Sequence, residues 1–271
     1  AIGIIEYLDR NDISFYMKDT KIKFFNHWLV QDIIHFFLFA YDNSNIQSFE
    51  KIYFKMKGFI SKKQLNYVKT LNSNKSILDR LLNLPGLNKF YKNNFLELKL
   101  SFKKLSKMKP YQGICYIENT LGYEDYLRES CMKFGHTLDS LKTILNYIKI
   151  IALKVDDFNQ FIGRLKYLEY LCIQSKNTSN GITLSTIHSA KGLEFDRVFM
   201  IDLIDGDFPT TNSIDDFRKG NIEALEEERR LFYVGMTRAK KFLTLMTFNS
   251  RNEKQVNSSR FLLELENLSN T

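Results

Sequence analysis

An α/β fold with a parallel sheet, interrupted by a mostly helical inserted domain, is what this sequence predicts. Three observations carry that expectation. The last third runs strand, strand, helix, strand, an order that implies a layered unit around a parallel sheet. Residues 24–179 repeat apolar side chains largely at helical intervals. The opening stretch holds one more helix and one more strand pattern, which would rejoin the same sheet.

Taken in order, Ile4-Ile5-Glu6-Tyr7-Leu8 predicts a helix and Ile13-Ser14-Phe15-Tyr16-Met17 a strand. Helical patterns follow over 29–41, Ile77–Leu82, 120–134, 139–152 and 156–173. Leu96, Leu98, Leu100 and Phe102 alternate briefly, so helix and strand both stay open there. Ile182–Ile187 is β-branched and alternating. Arg197–Leu203 has a continuous apolar centre, as a strand covered on both faces would. Glu223 to about Lys240 predicts a helix with acids in its first turns and bases in its last, which suits the helix dipole. On it, Glu226 and Arg230 are spaced to pair, and Leu231, Val234 and Ala239 to pack on the sheet. Phe242–Phe248 is a further strand. The predicted domains are therefore 1–23 with 180–271, and 24–179.

Composition narrows the class. The chain has 271 residues, 44% hydrophobic and 26% charged, which excludes disorder and collagen-like repeats. Only 3 prolines and 12 glycines punctuate it, in keeping with a helix-rich chain. Cys115, Cys131 and Cys172 are an odd number with no metal-ligand spacing, so a reducing, cytoplasmic setting is expected. No apolar run approaches the ~18 residues of a membrane span, and no membrane partner is expected. The first residue is Ala1, not Met, and the chain reads as a piece of something longer.

The net charge of +8 is unevenly placed. Residues 51–110 hold 15 Lys and Arg against Asp79 and Glu97, +13 in all, leaving −5 for the rest. An anionic partner met by that window follows.

Two segments could carry chemistry. Thr186-Ile187-His188-Ser189-Ala190-Lys191-Gly192-Leu193-Glu194-Phe195 follows a predicted strand, where ligands of α/β sheets bind. A solvated polar turn is the competing reading. Glu226 to Lys240, with Arg230 and Arg238 on roughly one helical face, could offer an Arg fork to an anion. A salt-bridged surface helix is the competing reading there. No Gly-x-x-x-x-Gly-Lys-Ser/Thr occurs, so Lys191-Gly192 is not a phosphate-cradling P-loop. His27, His35 and His136 are scattered and read as structural or surface residues.

Together, Thr186–Phe195 and Glu226–Ala239 resemble motifs V and VI of superfamily 1 DNA helicases of the UvrD/Rep/PcrA type. Asp205-Gly206-Asp207-Phe208-Pro209 is similar to that family's E-G-x-F-P, and Ser258-Ser259-Arg260-Phe261-Leu262 to its P-S-R-F-L. Phe24-Phe25-Asn26-His27 through Gln31-Asp32 resembles F-F-x-R-x-E-I-K-D with His27 in place of Arg, and Lys57-Gly58-Phe59-Ile60 faintly resembles R-G-I-G.

The resemblance implies a second RecA-like motor domain, incomplete here, interrupted by the helical insert. It implies ATP and Mg2+ in the intact parent, held with an N-terminal motor domain that carries the Walker motifs, and none bound stably by this piece alone. Arg238 would reach the γ-phosphate as an arginine finger, with Glu194 and Gly192 beside the nucleotide and Arg230 and Tyr233 supporting their helix. Thr186 and His188 would line a single-strand DNA track, and Lys57, Lys62 and Lys63 would meet the duplex junction. The parent would be an ATP-dependent 3′–5′ DNA helicase or translocase. The alternatives are a catalytically inactive DNA-binding or partner-docking module of the same shape, and a helicase–nuclease subunit.

Overall fold

The computed structural model describes residues 2–19, 23–71, 75–134, 137–174, 181–252 and 254–269. The domain boundary expected at 179–180 lies outside these, as does His136. The chain divides into two compact units, residues 1–13 with 21–174, and residues 14–20 with 175–271.

The first unit is helical: α1 Ile2–Arg10, α2 Trp28–Tyr41, α3 Ile46–Ile52, α4 Lys62–Thr70, α5 Ile77–Leu82, α6 Lys89–Leu105, α7 Pro110–Asn119, α8 Tyr123–Phe134, α9 Leu138–Leu153 and α10 Phe158–Gln174. The Leu96–Phe102 ambiguity resolves as helix. The alternating residues Leu96 and Leu100 are exposed, while Phe95, Leu98, Phe102 and Leu105 form the buried stripe. Short polar residues start many of these helices. Asn45, Ser76, Asn88 and Thr137 each accept a backbone N–H of the first turn, and Ser61 with Gln64 forms a reciprocal capping box.

Helix α2 is the centre of this unit. Leu29, Val30, Ile33, Phe36, Phe37, Phe39 and Ala40 are buried, nearly all round its axis, as befits a helix enclosed by others. Phe39 lies 4.7 Å from Phe49 of α3 and 4.7 Å from Phe102 of α6. One charge pair is enclosed with them. Lys55 Nζ donates to Asp32 Oδ1 at 2.6 Å and the Tyr123 hydroxyl donates to Asp32 Oδ2 at 2.8 Å. Burial pushes the Asp32 carboxyl above its ordinary range while Lys55 pulls it down. Lys55 therefore belongs to the interior, although the sequence counts it in the basic window.

The first helix departs from the sequence reading, which groups residues 1–23 with the sheet. Ile2, Ile5 and Leu8 of α1 are buried in the helical unit. Arg164 of α10 donates to Glu6 Oε2 from Nε at 2.8 Å and from Nη2 at 2.6 Å, and to Asp9 Oδ2 from Nη1 at 2.5 Å. A carboxylate as enclosed as Glu6 must keep its cations, and those cations sit on α10 and on α1 itself, at Arg10.

The second unit holds β1 Phe15–Met17, β2 Ile182–Leu184, β3 Phe195–Met200, α11 Thr211–Arg218, α12 Glu223–Met236, β4 Ala239–Leu245, β5 Ser250–Arg251, β6 Lys254–Gln255 and α13 Arg260–Ser269. Strands β1 and β2 pair in parallel, as do β3 and β4, and β5 and β6 form a small antiparallel pair. The expected parallel pairing is present. Among the described residues, however, β1–β2 and β3–β4 are separate two-stranded sheets, not one.

The core of this unit joins Met200 and Leu203 to Leu225 and Phe232 of α12 and Phe261 of α13. The buried stripe of α12 is Leu225, Phe232 and Gly235, so Leu231 and Val234 are only half-buried where the sequence reading packs them on the sheet, and Ala239, expected on the helix, instead opens β4 opposite Phe195. Gly235 lets the helix approach β3, since a Cβ there would meet Met200 Cε at 2.7 Å. Only one face of β3–β4 is covered in this way. On the other, Phe199 is 62% and Phe242 56% exposed, contrary to the strand expected to be covered on both sides.

Candidate functional site

The first segment folds into a compact turn directly after β2. The Ala190 N–H donates to the Thr186 carbonyl, Lys191 N–H to the His188 carbonyl and Leu193 N–H to the Ala190 carbonyl. Gly192 has φ +83° with nothing within 4 Å of where a Cβ would stand, so its glycine answers a backbone demand and not a lack of room. His188, Lys191 and Glu194 are exposed.

The turn is tethered by Asp19, just beyond β1. Its Oδ2 accepts the Thr186 backbone N–H at 3.0 Å and the Thr186 hydroxyl at 3.0 Å, while its Oδ1 accepts the Ser189 hydroxyl. These donors, Ser189 first, hold the Asp19 carboxyl below its ordinary range. Thr186 is thus anchored on the strand side and His188 is left pointing no hydrogen bond at a described residue. Asp19 and Ser189 escaped the sequence reading. Asp19 lies 167 positions from Thr186, so no local pattern could have revealed the contact.

The second segment meets the first at Arg238. Its backbone carbonyl accepts the Phe195 N–H at 2.8 Å. Its guanidinium donates from Nε to the Val234 carbonyl at 2.9 Å, from Nη1 to the Leu193 carbonyl at 3.2 Å and from Nη2 to the Thr237 hydroxyl at 2.9 Å. All three acceptors are neutral, and among the described residues no carboxylate pairs with it. The side chain is half-buried among polar atoms, outside the apolar core. Of the five N–H donors of a guanidinium, these bonds engage three and leave two. Glu194 sits beside this junction and pairs with Lys240 at 3.5 Å on the surface.

The rest of the second segment is structural in a way the sequence only partly foretold. Glu226 pairs with Arg229, not with Arg230 as its spacing allows, because Arg229 is fixed by Glu264 of α13 through Nε and Nη2 at 2.9 Å each. Those two carboxylates raise the Arg229 pKa further above its already high value. Glu228 accepts the Thr210 N–H at 2.8 Å and the Thr210 hydroxyl at 2.6 Å. Asp205 accepts from Arg260 Nη2 at 2.9 Å and from the Arg260 N–H at 2.9 Å. Phe208, Phe232 and Phe261 close a ring cluster with centroids 5.5–6.1 Å apart. The three stretches 205–209, 226–232 and 258–264 therefore hold one another. Arg230 and Tyr233 are exposed and do not brace the helix as expected.

The remaining sequence-predicted residues lie in the helical unit. Lys57 pairs with Asp125 at 3.3 Å on the surface, and Lys62 and Lys63 stand exposed in the first turn of α4. His27 caps α2, its Nδ1 accepting the Leu29 N–H at 3.2 Å, and His35 contacts Ser48. Among the described residues no group of three or more His, Cys, Asp or Glu is placed to hold a metal ion, and no helix is long and apolar enough to cross a membrane.

Comparison with known proteins bears on this arrangement. The family model for the UvrD-like helicase C-terminal domain matches residues 1–250. The chain is 31% identical over 266 residues to the Bacillus subtilis (strain 168) protein named "Putative ATP-dependent DNA helicase YjcD", covering 97% of this chain and 34% of that protein. It is 30% identical over 225 residues to the ATP-dependent DNA helicase Rep of Buchnera aphidicola subsp. Acyrthosiphon pisum, covering 78% of this chain and 33% of that one. It is 27% identical over 260 residues to the ATP-dependent DNA helicase PcrA of Staphylococcus epidermidis, covering 90% and 35%. The chain thus spans about a third of the length of these curated relatives.

Proposed function

The chain belongs to the UvrD-like helicase C-terminal domain family, and from that premise we propose that it is the C-terminal part of an ATP-dependent 3′–5′ DNA helicase or translocase. In this reading residues 14–20 and 175–271 belong to a second RecA-like motor domain and the helical unit is its insert. Arg238 is the arginine finger toward an ATP site completed by an N-terminal motor domain. Gly192 and Glu194 border the nucleotide, Thr186 and His188 the single strand, and Lys57, Lys62 and Lys63 the duplex junction.

The observation that carries the reading is the state of Arg238. Arg164, Arg229, Arg251 and Arg260, likewise half-buried, each pair with a carboxylate; Arg238 is positioned by two carbonyls and a hydroxyl, so its charge stays uncompensated. It bridges both resembling segments, since its bond to the Leu193 carbonyl links the helix end to the segment that bears Thr186 and His188. Bound with Mg2+, ATP supplies the phosphoryl group, and catalysis of its transfer rests on positioning and charge, to which an arginine finger contributes ~10³–10⁵ in rate. This chain's part is to hold the guanidinium at a fixed reach and to transmit its engagement through Leu193 to the turn.

The test is Arg238→Ala in the full-length protein. DNA-stimulated ATP turnover should fall at least about a thousandfold, with DNA affinity little changed. Turnover near the wild-type rate refutes the arginine-finger assignment, whereas no DNA-stimulated turnover in the unsubstituted full-length protein favours the inactive-module alternative.

A further inference from the structure

The basic window does more than present lysines. Between α3 and α4, Met56, Gly58 and Ile60 are buried while Lys57, Phe59 and Ser61 are exposed. The inward residues are locked. The Lys57 N–H donates to the Leu121 carbonyl at 2.8 Å, and a Cβ on Gly58 would stand 2.6 Å from Leu98 Cδ1 of α6. Phe59 is held outward on this clamped stretch. It is 64% exposed, and its backbone has φ +53°, a region a bulky residue occupies at a cost in free energy.

Phe59 does not stand alone. Phe90, the second residue of α6, is 55% exposed, and its ring centroid lies 5.6 Å from that of Phe59 with the planes at 47°. Lys62 and Lys63 follow Phe59 by three and four residues, and Lys89 and Lys92 flank Phe90. All four amines are exposed, and none forms an ion pair with a described residue. Two exposed rings, one on a strained backbone, set among four uncompensated cations, suit a ligand with a flat apolar face and negative charge on both sides of it. An unpaired nucleotide supplies both, a planar base with a phosphate on either side of it, whereas a base inside a duplex offers no free face.

We propose that Phe59 and Phe90 form a stacking platform for an unpaired base of DNA, with Lys62, Lys63, Lys89 and Lys92 holding the flanking phosphates. The proposal rests on the reading that the parent protein acts on DNA, and it adds a single-strand contact in the helical unit to the one at Thr186 and His188. Stacking tolerates any base, since each has a π face, so the platform engages the strand without reading its sequence.

The 271-residue chain is tested with a single-stranded oligonucleotide carrying one 2-aminopurine, and with the fully paired duplex of the same sequence. Phe59→Ala combined with Phe90→Ala should weaken single-strand binding about tenfold, the effect of losing one base–aromatic stack. It should abolish the 2-aminopurine fluorescence change, leave duplex affinity unchanged and leave the salt slope unchanged. Phe59→Gly, which relieves the positive φ while removing the ring, should reproduce the weakening without lowering thermal stability, and Phe59→Tyr should restore binding. Unchanged single-strand affinity, equal losses on both probes, or no binding of either at low salt overturns the platform. Turnover in the Arg238→Ala protein is read separately, so collapse there with normal binding by the phenylalanine variants removes the platform and keeps the helicase assignment.

Discussion

Replacing Arg164 by Met tests how the first helix is held. The guanidinium gives Glu6 two hydrogen bonds and Asp9 one, and the Glu6 side chain is only 4% exposed. Removing one partner of a buried pair costs about 3–5 kcal/mol, because the remaining charge stays enclosed without compensation. Arg10 still donates to Glu6 Oε1 at 2.8 Å, which places the expected loss at the lower end, about 3 kcal/mol. Urea unfolding followed by tryptophan fluorescence isolates the effect. The single tryptophan, Trp28, begins α2 in the helical unit, so the sheet unit is silent in this signal. With a denaturant slope of ~2 kcal/mol per M, the midpoint should fall by about 1.5 M. Adding Glu6→Gln to Arg164→Met removes the stranded charge and should recover much of the loss. A midpoint shift corresponding to less than about 1 kcal/mol, or a double variant less stable than the single, refutes the claim that this ion network seats α1.

Two further outcomes follow from the charged groups. Lys62→Ala with Lys63→Ala should flatten the plot of log affinity for duplex DNA against log salt by about 1.8, roughly 0.9 for each phosphate that a lysine no longer neutralises; an unaltered slope places the start of α4 away from the duplex. The Asp19 carboxyl, held down by Ser189 and Thr186, should titrate below its ordinary 3.8 in the folded chain. Its tether to the 186–189 turn is then fully present above that value and is lost as pH falls through the lowered one, because the unfolded chain takes up the proton first. A carboxyl NMR titration with its midpoint at or above 3.8 contradicts the three donated hydrogen bonds.

Much of this protein was legible in the order of its residues. The strand patterns at 182–187, 197–203 and 242–248 and the helix from Glu223 became β2, β3, β4 and α12, since alternation and 3.6-residue spacing are local properties. The motif segments were legible too, and the structure brings Leu193 and Phe195 of one onto Arg238 of the other. Pairings between distant residues were not. Which arginine takes Glu226 depends on Glu264, and what anchors Thr186 depends on Asp19. Whether Lys55 faces solvent depends on Asp32, and where α1 packs depends on Arg164. A charge counted along the chain has no address until folding sets its dielectric surroundings and its partner. Local patterning decided the elements and the motif segments; tertiary packing decided which cations are compensated by a carboxylate and which are not.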